Sequence, residues 1–300
     1  MDQGRTVPAV DVAVCTFRRP SLTETLESIA AQRLDDGGPV RVVVADNDEV
    51  PSARDAAEAA AARLGLDLRY VHAPARNISV ARNACLDAGT APLLAFIDDD
   101  EIASPGWLRA LVARMEETGA DAVLGPVRAR YPEDAPAWVA RADLHSTRPP
   151  ATGTGAIRTG YSGNVLIRRA GFGAMRFDPA LGRTGGEDDV FFATAVRRGA
   201  VMAFAPEAVV EEAVPPARAT LRWLCRRSFR NGQTYARNRL DGGAGRPAAL
   251  ALAAVKAGAC AAGAVATFPF PARSRPFLVR GALHLGACAR YLGRRDLELY

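Results

Sequence analysis

Between residue 10 and about residue 210, short apolar runs rich in valine and isoleucine alternate with helical patterns, and this alternation constrains the chain more than any other feature. It predicts an α/β fold: a mostly parallel central sheet with helices on both faces. Val10–Thr16 reads as the first strand, and Ser21 with Glu24 at capping-box spacing opens the first helix. Further strands are expected at 40–45, 68–72, 93–97 and 122–130. Helices are expected at 51–64, at 79–88, and from Ser104-Pro105, a capping serine with a first-turn proline, to about 117.

Ligands of open α/β sheets bind outside the carboxyl ends of the strands, so the residues there carry the functional information. The first strand runs into Thr16-Phe17-Arg18-Arg19, the second into Asp46, and the fourth into Asp98-Asp99-Asp100. The first of these turns holds no glycine, which argues against a dinucleotide fingerprint, and no G-x-x-x-x-G-K-[ST] phosphate loop occurs. Clustered carboxylates at a nucleotide-sized crevice suit Mg²⁺ or Mn²⁺, hard ions that take one or two carboxylates together with substrate phosphates. Alternation along an extended segment puts Asp98 and Asp100 on one side and Asp99 on the other. An acidic loop capping the next helix is the other reading of the same three residues.

A second acidic centre follows in Gly182-Arg183-Thr184-Gly185-Gly186-Glu187-Asp188-Asp189, just before the helical pattern VFFATAVRR. One acid in the first turn of a helix answers the helix dipole. Three exceed what capping needs, and their mutual repulsion favours a raised proton affinity on one of them, as a general base requires.

Taken together, the strand ending in Thr16, Asp46, the run Arg76-Asn77-x-x-x-Ala81-Arg82-Asn83, FIDDDE and GGEDD resemble glycosyltransferase family 2, over about residues 8–238. Within it the likeness is to bacterial enzymes of polysaccharide repeat units, of the succinoglycan type. The resemblance implies a GT-A fold and inverting transfer from a nucleoside-diphosphate sugar, UDP-linked, to a glycan or polyprenyl-linked acceptor. It implies that Thr16 and Asp46 line the base pocket, that Arg82 faces base or phosphate, and that Asp98 contacts the ribose while Asp100 holds Mg²⁺ or Mn²⁺. Asp188 becomes the base, Glu187 an acceptor-binding neighbour and Asp189 a cap. The stretch Tyr161-Ser162-Gly163-Asn164 resembles the strand below the acceptor pocket, with Gly163 and Asn164 as contacts; a turn into a core strand is equally open. Trp138 stacks on a sugar or belongs to the core, and the loop at 146–160 has the composition of a lid. Many relatives carry a further metal-binding histidine where this chain has Glu211-Glu212, either of which offers carboxylate oxygen.

Composition enters through its distribution. The 300 residues carry a net charge of +5, yet residues 218–300 hold 15 Lys and Arg against three acids, Asp241, Asp296 and Glu298, a net +12 that leaves −7 on residues 1–217. The expected organisation is a catalytic domain over 1–217, a basic helix over 218–240 that completes the site, and an apolar, basic helical hairpin over 241–300. The stretch LCRRSFRNGQTYAR resembles the family's segment that closes over the diphosphate, which implies Arg226, Arg227 and Arg230 as diphosphate contacts; a solvated basic helix face is the other reading. No nucleic-acid recognition motif accompanies the arginines. Residues 248–270 are apolar save Lys256 and Thr267, and with the following arginines they read as an interfacial hairpin at an anionic membrane or as a soluble hairpin packed on protein. Five dispersed cysteines and three histidines give neither a disulfide framework nor a zinc cluster. The first residues show no secretory pattern, so a cytoplasmic enzyme, peripheral or monotopic on the inner face of the plasma membrane, is expected. A silent scaffold subunit that has kept the fold but lost the chemistry is the alternative function.

Overall fold

The computed structural model describes residues 9–34, 38–149 and 155–298. The amino-terminal residues 1–8 and part of the expected lid, 150–154, lie outside the described residues. Contacts divide the chain into two compact units, the first comprising residues up to 128 with 147–182 and 191–212, the second 129–146, 183–190 and 213 onward.

In chain order the elements are β1 (Val10–Thr16), α1 (Leu22–Ala30), β2 (Val40–Asp46), α2 (Arg54–Leu64), β3 (Asp67–His72), α3 (Ile78–Ala88), β4 (Leu93–Asp98), β5 (Glu101–Ala103), α4 (Trp107–Thr118), β6 (Ala122–Leu124), β7 (Val127–Arg130) and α5 (Ala137–Ala142). They continue with β8 (Asn164–Arg168), the single turn α6 (Arg169–Phe172), a 3-10 turn (Pro179–Leu181), α7 (Glu187–Arg197), β9 (Met202–Phe204), β10 (Val210–Ala213), α8 (Leu221–Asp241), α9 (Arg246–Ala266) and α10 (Pro271–Tyr291).

The first unit is built on a seven-stranded sheet in the order β3-β2-β1-β4-β8-β6-β9. β1, β2, β3 and β4 run parallel, and β8 is antiparallel to both β4 and β6. Every residue of β1 is buried, and its period of two feeds two cores. Val10, Val12 and Val14 pack with residues of α1, α2 and α4. Ala13 and Cys15 pack on the other face with α3 and with Phe177, Phe191 and Phe192. The expected α/β sheet clad on both faces is thus present.

Three local expectations change. Ser21 precedes α1 in helical backbone and makes no side-chain cap, so the capping box does not form. Ser104 is not the cap of α4; that place falls to Gly106, with the Trp107 amide donating to the Ser104 carbonyl. The single strand expected over 122–130 breaks at Gly125-Pro126, since proline offers no donor to a ladder, and β7 joins a second, three-stranded sheet of order β5-β10-β7.

The second unit is helical. Its core joins Trp138 and Val139 of α5 to Val214, Ala219, Leu224 of α8 and Val279 of α10, and a second cluster joins Ala236, Ala249, Ala253, Ala287 and Tyr291. Next to the first lies buried His145, stacked on Trp223 at 5.3 Å between ring centroids and hydrogen-bonded through Nε2 to the Arg218 carbonyl at 3.2 Å.

Burial, and then the Arg227 charge, push the proton affinity of His145 down to about 4. An unfolded histidine protonates near 6.5, so the stability that neutral His145 contributes is complete above that pH and is lost as pH falls from about 6.5 toward 4. Thermal midpoints measured at stepped pH should therefore fall less steeply in this window for His145→Gln than for the parent chain. Parallel curves would show that His145 does not titrate on unfolding.

Candidate active site

The strand order reverses at β1, with β2 and β3 on one side and β4 on the other, and a crevice opens at such a reversal beyond the carboxyl ends. Thr16 and Asp98, the last residues of β1 and β4, both stand there. Beyond Asp98 the chain turns at Asp99 and Asp100 and re-enters a strand at Glu101, so the alternation expected for an extended segment does not hold. The outcome is nevertheless similar: Asp99 is buried, while Asp98 and Asp100 are half-buried.

Each acid of this turn has a defined neighbour. The buried guanidinium of Arg82, carried on α3, lies 3.6 Å from Asp98 and 5.6 Å from the Phe177 ring centroid. Asp87, one turn further along α3, pairs with Arg176 at 2.6 Å. Arg19 stands 3.9 Å from Asp99 and 3.6 Å from Asp100. Burial pushes the Asp99 carboxyl up to about 7, opposed by the Thr16 hydroxyl and reinforced by the charges of Asp100 and Asp98. Burial, and then the Asp98 charge, also hold Glu101 well above the usual carboxylate range. Glu101 accepts from the Asp98 amide at 3.0 Å. β10 sets Glu212 opposite Glu101 and Glu211 opposite Ile102, so of the two glutamates it is Glu212 that borders the acid turn.

This donor set fits a hard divalent ion. A Cβ on residue 163 would come within 2.7 Å of a Glu101 oxygen and 3.2 Å of an Asp98 oxygen, so only glycine leaves the carboxylates their space. Among the described residues no three acid, histidine or cysteine side chains form a closed cage. An ion that takes one or two carboxylates and completes its shell with phosphate and water needs none.

Several expected roles move. Asp46 is fully buried and accepts from the amides of Asp48 and Ala53, at 3.0 and 2.8 Å, and from the Tyr70 hydroxyl at 2.6 Å. Its carboxylate is spent on closing the turn after β2, so it does not present itself to a base. The surface available there belongs to residues that were not singled out. The exposed Phe17 ring lies 5.4 Å from the Arg18 guanidinium and 5.8 Å from that of Arg76. Arg18 and Arg76 both adopt positive φ, 54° and 44°, a conformation that side chains rarely take outside functional turns. Arg18 grips Asp48 through two hydrogen bonds of 2.8 and 2.9 Å, which hold that carboxyl well below the usual range. The place of Phe17 and Arg18 just after the first strand, and of Arg76 in the Arg76-Asn77 run after β3, was the signal available in the sequence.

The acceptor contacts change more. Asn164 is fully buried, accepting from the Trp107 indole at 2.8 Å and donating to the carbonyls of Pro126 and Ala208. It ties strands together and is closed to an acceptor. Gly163 makes room for the Glu101 and Asp98 carboxylates. Trp138 is buried in the second unit's core, with the Arg275 guanidinium 5.1 Å from its ring centroid, so it is not a sugar-stacking platform.

In the first unit, the segment leading to GGEDD is pinned to α3. Asn83 and Phe177 exchange two hydrogen bonds of 2.9 and 2.8 Å, and Ser79 and Asn77 donate to the carbonyls of Asp178 and Pro179, each at 2.8 Å. In the second unit, Glu187, Asp188 and Asp189 form the first turn of α7; Glu187 is buried, and Asp188 and Asp189 are half-buried. Asp188 accepts from the Asp189 amide at 2.8 Å. Gly185 and Gly186 precede them at φ 78° and 86°, and α8 packs directly on this bend. Arg230 donates to the Thr184 carbonyl, and a Cβ on Gly186 would stand 2.4 Å from the Thr234 hydroxyl. Arg230 is therefore engaged in shaping the acidic motif, Arg227 lies over the Trp223 ring at 5.4 Å, and Arg226 is exposed.

The family model for glycosyl transferase family 2 matches residues 11–177. The chain is 47% identical over 295 residues to the succinoglycan biosynthesis protein ExoM of Rhizobium meliloti, covering 97% of this chain and 95% of that protein. It is 34% identical over 139 residues, 44% of this chain and 40% of the relative, to the glucosyl-dolichyl phosphate glucuronosyltransferase of Haloferax volcanii. Among solved structures, the mannosyltransferase PcManGT of Pyrobaculum calidifontis, in complex with GDP-Man and Mn²⁺, superposes with a TM-score of 0.66 at 22% identity, over 95% of this chain and 87% of that one. GalNAc-T7 with UDP, GalNAc and Mn²⁺ superposes at 0.56 and 15% identity, over 74% and 48%. The chain belongs to glycosyl transferase family 2, and its fold is the GT-A fold. Both expectations drawn from the motifs are borne out.

Gly186→Ala should cut catalytic turnover, because the new methyl group meets Thr234 and the positive φ costs about 1–2 kcal/mol for a side-chain-bearing residue. Adding Thr234→Ala removes the collision but not the φ cost, so the double variant should regain part of the lost thermal stability and rate. Full activity in the single variant would refute the tight seat.

Proposed function

We propose that this protein is an inverting, metal-dependent glycosyltransferase that moves a sugar from a nucleoside-diphosphate donor, UDP-linked, to a hydroxyl of a glycan or polyprenyl-linked acceptor. The carrying observation is the buried Arg82 set against Asp98 where the strand order reverses, a cation and an acid together at the place suited to a sugar diphosphate. Identity with a succinoglycan biosynthesis protein along nearly the whole chain supports a role in surface polysaccharide synthesis, and the Mn²⁺-bound neighbours of the same fold support a divalent ion. The work then lies at the cytoplasmic face of the plasma membrane, where lipid-carried acceptors are met.

Asp98 and Asp100, with Glu212 bordering them, would hold Mg²⁺ or Mn²⁺, whose positive charge supplies electrostatic relief to the departing diphosphate. The chain's own groups do the rest. Arg82 and Arg19 keep the acid turn in one arrangement and add positive charge beside the phosphates. Phe17, with the Arg18 and Arg76 guanidinium groups near its ring, offers a flat surface to the base, and Thr16 at the end of β1 belongs to the same pocket. Arg226 and Arg227 are the α8 residues open to a phosphate role. Asp188 takes the proton from the acceptor hydroxyl as its oxygen bonds to the anomeric carbon on the face opposite the diphosphate. The bond to the diphosphate breaks and its electron pair leaves with the nucleotide, so the configuration inverts. Glu187 beside it steadies the acceptor.

Purified protein offered a panel of nucleotide sugars with membrane lipid extract should release nucleoside diphosphate only when acceptor is present. Asp188→Asn should lower kcat by about 10²–10⁴-fold with donor affinity retained. A near-parental rate would remove Asp188 from the mechanism. Asp100→Ala should instead lose donor binding together with metal dependence, and an unchanged response to Mn²⁺ titration would remove the ion from that site.

A further inference from the structure

The second unit leaves an unusual surface uncovered. α9 is, among the described residues, the one helix long and apolar enough to cross a bilayer, yet only 17% of its apolar window is buried. Ala249, Ala253, Cys260 and Ala264 form its inner row. Its outer row, Ala251, Val255, Gly258, Ala262 and Val265, recurs at four- and three-residue spacing and is exposed throughout. Leu252, Val255, Val265, Phe268 and Phe270 are each 52–79% exposed, the two phenylalanines lying in the turn before α10. The same carboxyl-terminal helices and the residues after them carry six exposed cations, Arg246, Lys256, Arg273, Arg280, Arg294 and Arg295. Asp296 is already paired with Arg237 and Arg290.

We infer that α9 and the Phe268-Pro269-Phe270 turn are a docking surface for an anionic lipid bilayer, with α9 lying in the plane of the interface. The charge selects the occupant: a second copy would bring the same cations against these, whereas anionic headgroups complement them. The position of Lys256 selects the orientation. It lies ten residues beyond Arg246, about 15 Å along the helix at 1.5 Å per residue, so a spanning α9 with Arg246 at one surface would bring Lys256 to the bilayer centre. That placement costs about 2.5–3.5 kcal/mol, which a helix of mostly alanine and glycine recovers poorly. In the plane, the outer row and the phenylalanines enter the acyl boundary while Lys256, on the flank of that row, stays among headgroups. Beneath, α10 seats firmly on α8 where Gly232 and Gly286 each face opposing backbone. This inference rests on the membrane-surface reading above for its biological sense, but its test needs neither donor, acceptor nor metal.

The full-length protein is mixed with phosphatidylcholine vesicles with and without phosphatidylglycerol and separated by flotation. Binding should require phosphatidylglycerol, weaken as salt is raised, and be released by alkaline carbonate. Val255→Asp with Val265→Asp, both at exposed positions, should lower binding at least about tenfold without changing the circular dichroism spectrum or thermal midpoint. Arg273→Ser and Arg280→Ser should each cost about fivefold on anionic vesicles. Equal binding to neutral vesicles, or undiminished binding by the double aspartate variant, overturns the proposal. Retention through carbonate overturns the in-plane orientation. A dimer in sedimentation that the aspartates dissociate assigns the face to a second copy. Transfer to a soluble acceptor, assayed separately, distinguishes failure of docking from failure of the enzymatic reading.

Discussion

Residues 98–101 are four carboxylic acids in succession, and four like charges in one turn cannot all be accommodated without neighbours that neutralise or remove them. Much of the first unit's active end answers that constraint. Asp99 is withdrawn beneath the Thr16 hydroxyl with its proton affinity raised. Glu101 is buried in the adjoining strand and gives an oxygen to the Asp98 amide. Arg82 and Arg19 supply the balancing cations from α3 and from the turn after β1. What remains toward the crevice is Asp98 and Asp100, the pair that a hard ion can use. Gly163 belongs to the same solution, since any side chain there would collide with Glu101.

The second unit keeps its own acids in order by another route. Two glycines with positive φ turn the chain immediately before Glu187, and α8 fills the space that their missing side chains leave. Arg230 and Thr234 thereby shape the bend that carries the proposed base. The same helix supports α10, so the basic stretch read from the sequence serves as a structural spine whose arginines divide between packing on aromatic rings, bonding to carbonyls and facing solvent.

The division of charge along the chain, −7 over residues 1–217 and +12 over 218–300, is more informative than its total. The acids gather at two turns, residues 98–101 and 187–189. The carboxyl-terminal helices that carry the arginines also carry an exposed apolar surface.

The sequence by itself determined the α/β class, the position of β1 to β4, the family, and the two acidic turns, because these depend on local period, strand-end position and short motifs. It also located Thr16 at the end of the first strand and Arg82 on the third helix. Only the tertiary structure decided which polar side chains are open to a ligand. Asp46, Asn164 and Trp138 look like ligand contacts in one dimension, yet each is closed by partners 7 to 86 residues away: the Ala53 amide and Tyr70, Trp107 with Pro126, and Leu224. Phe17 became visible for the converse reason, its exposure, and Arg18 and Arg76 beside it through a positive φ that runs against ordinary preference. Burial and hydrogen-bond satisfaction are set by segments far apart in the chain, and no local pattern records them.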